Sequence, residues 1–187
     1  MTTVFLSGSR KISRINDAIR SRIDNMVSKG ISIIVGDANG ADKAMQSYLA
    51  EIAYQDVTVF CAGDHCRNNV GKWPAKNIAP DTSLSGRDFY VQKDKEMALL
   101  ADFGLVLWDG KSAGSVGNIL ELLKSGKKVV VYYTPEKQFH NVGTTEDLRA
   151  LLNKCDPEDL DVIKKKLRLT SSLREIRDSK QATLAFQ

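Results

Sequence analysis

The stretch "IIVGDANGADKAM", Ile33 to Met45, decides how the rest of the chain is read. An apolar run ends in a glycine turn, "GDANGAD", and a segment of helical character opens at Ala41. A strand that turns directly into a helix is the unit of a parallel sheet, and strands buried on both faces read as unbroken apolar runs rather than as alternation. The turn also sets a problem. A glycine turn at a helix start is the usual setting for a bound phosphate, yet this one carries Asp37 and Asp42 and no basic residue before Lys43.

The same pattern recurs on either side. Apolar runs lie at "TVFLSGS" (Thr3 to Ser9), "SIIVG" (Ser32 to Gly36), "DVTVFCAG" (Asp56 to Gly63), "FGLVLWDG" (Phe103 to Gly110) and "KVVVYY" (Lys128 to Tyr133). Between them run segments of helical period: about 15–29, with Ile15, Ile19 and Ile23 on one face and Gly30 as the stop, then about 41–53, 88–100 and 115–124. The expected fold is therefore α/β, a single Rossmann-like three-layer domain with a five-stranded parallel sheet over residues 1–135. A small helical C-terminal appendage is expected over 136–187, signalled by Asp156 as an N-cap before Pro157. Residues 63–85 show no periodicity and read as a lid, a binding loop or a missed element.

A chain of 187 residues is long enough for one well-packed core and short for two. At 42% hydrophobic and 27% charged residues it has globular composition, which argues against disorder away from the termini. No apolar run approaches the roughly 20 residues of a membrane span, and "MTTVFLSGSR" lacks a signal-peptide pattern, so a soluble, cytoplasmic protein without membrane partners is expected. Three cysteines, Cys61, Cys66 and Cys155, offer no paired framework and fit a reducing compartment. Neither a metal nor a cofactor is expected, because Cys61, His65 and Cys66 lack a fourth ligand at recognisable spacing. The net charge of +4 is spread along the chain, and the one basic cluster, "KKKLR" at Lys164 to Arg168, reads as a solvated helix face. On that basis nucleic acid is not expected as a partner.

Three turns follow strands at what would be one sheet edge: "SGSR" (Ser7 to Arg10), "GDANGAD" (Gly36 to Asp42) and "WDGKSAGSVGN" (Trp108 to Asn118). Each joins small residues to a helix start, where backbone amides and the helix dipole favour an anion. The Walker pattern and the dinucleotide GxGxxG fingerprint are both absent.

"GSR", "GDANGAD", the helix ending "KDKEMALLAD" and "LVLWDGKSAGS", in that order, resemble the SLOG superfamily, which includes LOG-type nucleotide phosphoribohydrolases and DprA-type nucleic-acid-binding proteins; the similarity is nearest to its small YspA-like branch. The resemblance covers about Val4 to Tyr133. It implies a Rossmann-like fold that binds a nucleotide or nucleotide-derived ligand, with phosphate at Gly114 and Ser115 beside Lys111 and Ser112. LOG-type enzymes end this turn with a glutamate acting on the glycosidic bond. Here that position holds Asn118, and Glu121 is the nearest carboxylate; Lys93 stands where those enzymes carry an arginine.

The expected ligand contacts are thus the turns Gly8, Ser9 and Arg10, then Gly36, Gly40 and Ala41, then Lys111, Ser112, Gly114, Ser115 and Asn118, with Lys93, Arg87 and Trp108 beside them. Arg10 and Arg87 can grip a phosphate bidentately, and Trp73 or Trp108 can stack on a base or simply pack. Cleavage of an N-glycosidic bond needs a carboxylate near the anomeric carbon, for which Asp37, Asp42 and Glu121 are the candidates. Each has a structural alternative: Asp37 in a turn, Asp42 against a helix dipole, Glu121 on an exposed helix face. The expectation is a nucleotide-binding protein, with a phosphoribohydrolase-like activity, a non-catalytic sensor with a protein effector and a DprA-like binder all open, and a homo-oligomer as the expected assembly.

Overall fold

The computed structural model describes residues 1–79 and 87–185. Seven strands form one sheet: β1 (Thr3–Gly8), β2 (Ser32–Gly36), β3 (Val57–Ala62), β4 (Ala75–Ile78), β5 (Phe103–Trp108), β6 (Lys128–Tyr133) and β7 (Gln138–Val142). Their order is β4-β3-β2-β1-β5-β6-β7, with β7 alone antiparallel to its neighbour. From β1 the sheet grows outward both ways, so β1 and β5 flank a point where the strand order reverses. In such sheets a crevice opens there, outside the carboxyl ends of the strands.

Alternation along the strands sends residues to two helical layers. Val4 and Leu6 face α1 (Asp17–Val27) and α2 (Ala41–Glu51), packing with Ile19, Ile23, Met45 and Leu49. Phe5 and Val106 face α3 (Arg87–Leu100) and α4 (Ala113–Lys124), packing with Met97, Val116 and Ile119. On that second layer lie α5 (Thr145–Leu152), α6 (Pro157–Leu167) and α7 (Leu169–Ala185), which bury Leu148, Ile163, Leu173 and Ile176 in the same core.

The sheet thus has seven strands rather than the expected five, and it is not wholly parallel. β4 falls inside the 63–85 segment, where "AKNI" is exposed at three of its four positions. An edge strand with one neighbour and a solvated face needs no apolar run, and its Lys76 is the kind of residue that blunts an edge. β7 lies beyond residue 135, so the sheet continues past the boundary read from sequence. Phe139 meets Tyr132 edge-on at 4.8 Å, and Val142 is buried. The remainder of the 63–85 reading, residues 80–85, lies outside the described residues.

Local signals held well where they are local. Asn16 caps α1 by accepting from the Ile19 amide, and Thr144 with Asp147 closes a capping box on α5. Asp156 caps α6 ahead of Pro157. The cysteines differ from expectation: Cys61 and Cys66 form a disulfide and Cys155 stays free.

Candidate functional site

The three turns meet at the β1/β5 crevice and lock together. The Ser9 carbonyl accepts from the amides of Ile12 and Ala41, and the Ser9 amide donates to the Leu107 carbonyl at 2.8 Å. Two glycines make this approach possible. A Cβ at Gly8 would strike the Leu107 carbonyl and the Ala41 methyl, and one at Gly40, whose φ is +87°, would strike the Arg10 backbone. Gly8, Gly40 and Ala41 are therefore explained by turn-on-turn packing. Gly36 has a similar reason, since its Cβ would meet the Asp42 carboxylate and the Lys93 ammonium.

After β2, Asp37 is buried and fully engaged. Arg67 donates to it three times: Nη2 to Oδ1 at 2.6 Å, Nε to Oδ2 at 3.1 Å and its amide to Oδ2 at 3.0 Å. Lys93, itself buried, lies 3.5 Å away and is the same distance from Asp94. Burial raises the Asp37 carboxyl, but the Arg67 hydrogen bonds and the Lys93 and Arg67 charges outweigh it and hold the pKa below the ordinary value. Asp42 stands differently. Its Oδ2 accepts only a 3.3 Å bond from the Ala38 amide, and its buried Oδ1 has no partner. Burial, only partly offset by Lys93, pushes its carboxyl up to about 6, and Asp94 and Asp37 add to the rise.

After β5, the expected phosphate turn contains its own anion. Asp109 Oδ1 accepts from the Ser112 amide at 2.8 Å, the Lys111 amide at 3.1 Å and Ser9 Oγ at 2.8 Å, and Ser9 Oγ lies 3.0 Å from Ser115 Oγ. Ser112 caps α4 by accepting from the Ser115 amide at 3.3 Å. The amides of Lys111, Ser112 and Ser115 are thus already bonded, while Gly114 faces open space: a Cβ there would meet nothing nearer than Ser112 Oγ at 3.7 Å. Lys111 reaches across to Asp159 of α6 at 2.8 Å.

Trp108 is fully buried, donating Nε1 to the Ser112 carbonyl, and Trp73 is buried with Nε1 on the Tyr54 carbonyl. Both indoles are packing groups that brace backbone. Glu121 pairs with Lys124 at 3.6 Å, one turn along α4. The Arg87 side chain lies outside the described residues.

The crevice is a groove of about 920 Å³ between these turns, α3, α4 and the start of α7. Of the residues expected at the site, Gly8, Arg10, Asp42, Lys93, Lys111, Ser112, Gly114, Ser115, Asn118 and Glu121 line it; Ser9, Gly36, Asp37, Gly40, Ala41 and Trp108 stand behind it. Sequence reading missed Arg67 and Tyr90. The guanidinium of Arg67 sits 4.5 Å from the Tyr90 ring centre and that of Arg10 5.7 Å, so the ring attracts both cations. No signal marks Arg67, which sits in an aperiodic segment. Arg10, Lys11, Lys95 and Lys166 also line the groove, with no carboxylate within ion-pair distance among the described residues.

No protein-family model matches the chain, and no curated protein does. A solved structure does: DNA processing protein A from Helicobacter pylori, described as having a single-stranded DNA binding mode, at TM-score 0.57 and 16% identity, over 89% of this chain and 80% of that one. The likeness is one of fold, and it agrees with the DprA-type, Rossmann-like side of the resemblance rather than with the YspA-like branch. It overturns the dismissal of nucleic acid as a partner, which rested on the lack of a basic face. The groove's cations come from the β1 turn, the β3–β4 loop, α3, the β5–α4 turn, α4 and α6, so they are dispersed in sequence and gathered only by folding.

Proposed function

We propose that the groove binds single-stranded nucleic acid through its backbone phosphates. The observation that carries this reading is the set of groove cations without carboxylate partners among the described residues, Arg10, Lys11, Lys95 and Lys166, around the open Gly114 start of α4. Phosphates gain from dispersed cations and from helix N-termini. The similar fold of a single-stranded DNA-binding protein supports the same reading. The ordered turns GSR and G-x-A-x-GAD support a place in the SLOG superfamily.

The test is fluorescence anisotropy of a labelled oligonucleotide across a salt series. Affinity should fall with salt, and removing Arg10 and Lys11 together should weaken binding and lower the logarithmic salt slope by about 0.7 for each phosphate no longer neutralised. Failure to bind at low salt, or binding indifferent to salt, would overturn the reading.

Asp42 favours a second reading. A buried carboxyl with an unpartnered oxygen, raised to about 6 and bordering the groove, suits proton transfer, as hydrolysis of a nucleotide N-glycosidic bond requires. Release of free base from nucleoside monophosphates, lost in Asp42→Asn, would establish it.

A further inference from the structure

We propose that Cys61–Cys66 is a thiol–disulfide exchange site for a dithiol reductant, and that its state sets how firmly Arg67 forms the groove wall. Cys61 is fully buried in β3, anchored in the sheet by its neighbours β2 and β4. Cys66 is only partly buried, in the loop that follows, and the next residue is Arg67. The disulfide therefore ties the base of Arg67 to the sheet. What Arg67 holds is substantial: three hydrogen bonds to buried Asp37 and the ring of Tyr90 under its guanidinium. Asn68 continues the grip, donating to the Asp37 carbonyl at 2.8 Å and to Asn39 Oδ1 at 3.0 Å, and the Val70 amide donates to Gln46 at 2.9 Å. Ahead of the tether the loop is held to β4 by the Gly63 amide on the Ile78 carbonyl and by Asn77 on the Asp64 carbonyl; the contacts to Asp37, Asn39 and Gln46 all come from the few residues after it.

The exchange is a conventional one. A thiolate of the dithiol attacks Cys66 Sγ, the sulfur on the less buried residue; the Cys61–Cys66 bond breaks, and Cys61 leaves as a thiolate and takes up a proton. The second thiol of the reductant attacks the mixed disulfide, Cys66 is released and protonated, and the reductant ends as a cyclic disulfide. Two electrons and two protons pass to the protein. With the tether open, the loop from Gly63 regains conformational freedom, and Arg67 is kept in place only by its non-covalent partners.

The effect on the groove rests on the nucleic-acid reading; the effect on the loop does not. The full chain is oxidised, then treated with dithiothreitol, with thiol state read by alkylation and mass. Hydrogen exchange is followed at Arg67 to Val70, and anisotropy with labelled oligothymidine. Reduced chain and Cys66→Ser should both exchange at least about tenfold faster there and bind several-fold more weakly, while Cys155→Ser should match the unaltered chain. Failure to form the disulfide under oxidation, unchanged exchange after verified reduction, or unchanged affinity in a chain that does bind would each overturn the proposal. Faster exchange in a chain that binds no oligonucleotide in either state would uphold the exchange site and sink the nucleic-acid reading instead.

Discussion

Two aspartate-bearing turns face each other across the groove, Gly36–Asp42 and Asp109–Ser115, and they satisfy their carboxylates by opposite means. Asp109 draws mainly on what is next to it, the amides two and three residues on, with one bond from the distant Ser9 hydroxyl. Asp37 is satisfied from afar, by Arg67 thirty residues on in the β3–β4 loop and Lys93 in α3. Asp42, five residues after it, is satisfied hardly at all. The difference teaches that an acidic glycine turn does not declare its role. Where local amides suffice, the carboxylate fills an anion site; where distant cations are recruited, it fixes the tertiary structure that shapes the groove.

The comparison breaks most readily at Asp37. Replacing it with Ala strands Arg67 and leaves Lys93 with Asp94, and by analogy with other broken buried pairs should cost about 3–5 kcal/mol, read as a fall in the denaturant midpoint. A much smaller loss would mean the Arg67 grip contributes little. The pH dependence should carry the same sign. With its folded pKa below the ordinary value, Asp37 gives stability that is complete above the ordinary carboxylate range and is lost as pH falls through the depressed value.

Asp42 should behave the other way. Its carboxyl is raised from 3.8 to about 6, so its charged form is disfavoured on folding, and stability should decline as pH rises from about 4 to about 6. Asp42→Asn should remove that decline and stabilise the chain at pH 8 by roughly 2–3 kcal/mol, from about 1.4 kcal/mol per unit. Thermal melts across this pH range decide it, and a flat profile in the unaltered chain would refute the contrast with Asp37.

On the opposite turn the effects should be smaller. Ser112→Ala removes the α4 cap and should cost about 1 kcal/mol, a drop of roughly 2–4 °C in Tm. Smallest of all, Asp159→Ala should leave the melting temperature nearly unchanged, because its partner Lys111 is exposed and Asp159 only partly buried, while freeing Lys111 for an anion. Tighter oligonucleotide binding at unchanged Tm would show that α6 competes for this cation.

Much of the architecture was legible. The boundaries of β2 and β6 match their apolar runs, and the cap at Asp156 follows a rule that acts within a few residues. β4 and β7 were not legible because a short edge strand with one neighbour need not be apolar. At the groove, Arg10 and the Ser112–Ser115 turn could be found from position relative to strand ends, and Lys93 only through the family resemblance. Arg67 and Tyr90 could not, since nothing in their neighbourhood distinguishes them before the loop and α3 are brought to Asp37.

What the amino-acid sequence determined by itself is the alternation of buried strands and amphipathic helices, and hence a parallel sheet with turns gathered at one edge, because burial period and capping are local properties. Only the tertiary structure decided which charges remain available there. Asp37 and Asp109 have their charge met within the fold, Cys61 finds Cys66, and cations from six separate segments converge on one groove. Electrostatic pairing depends on distance in space, and that distance is set by packing rather than by position in the chain.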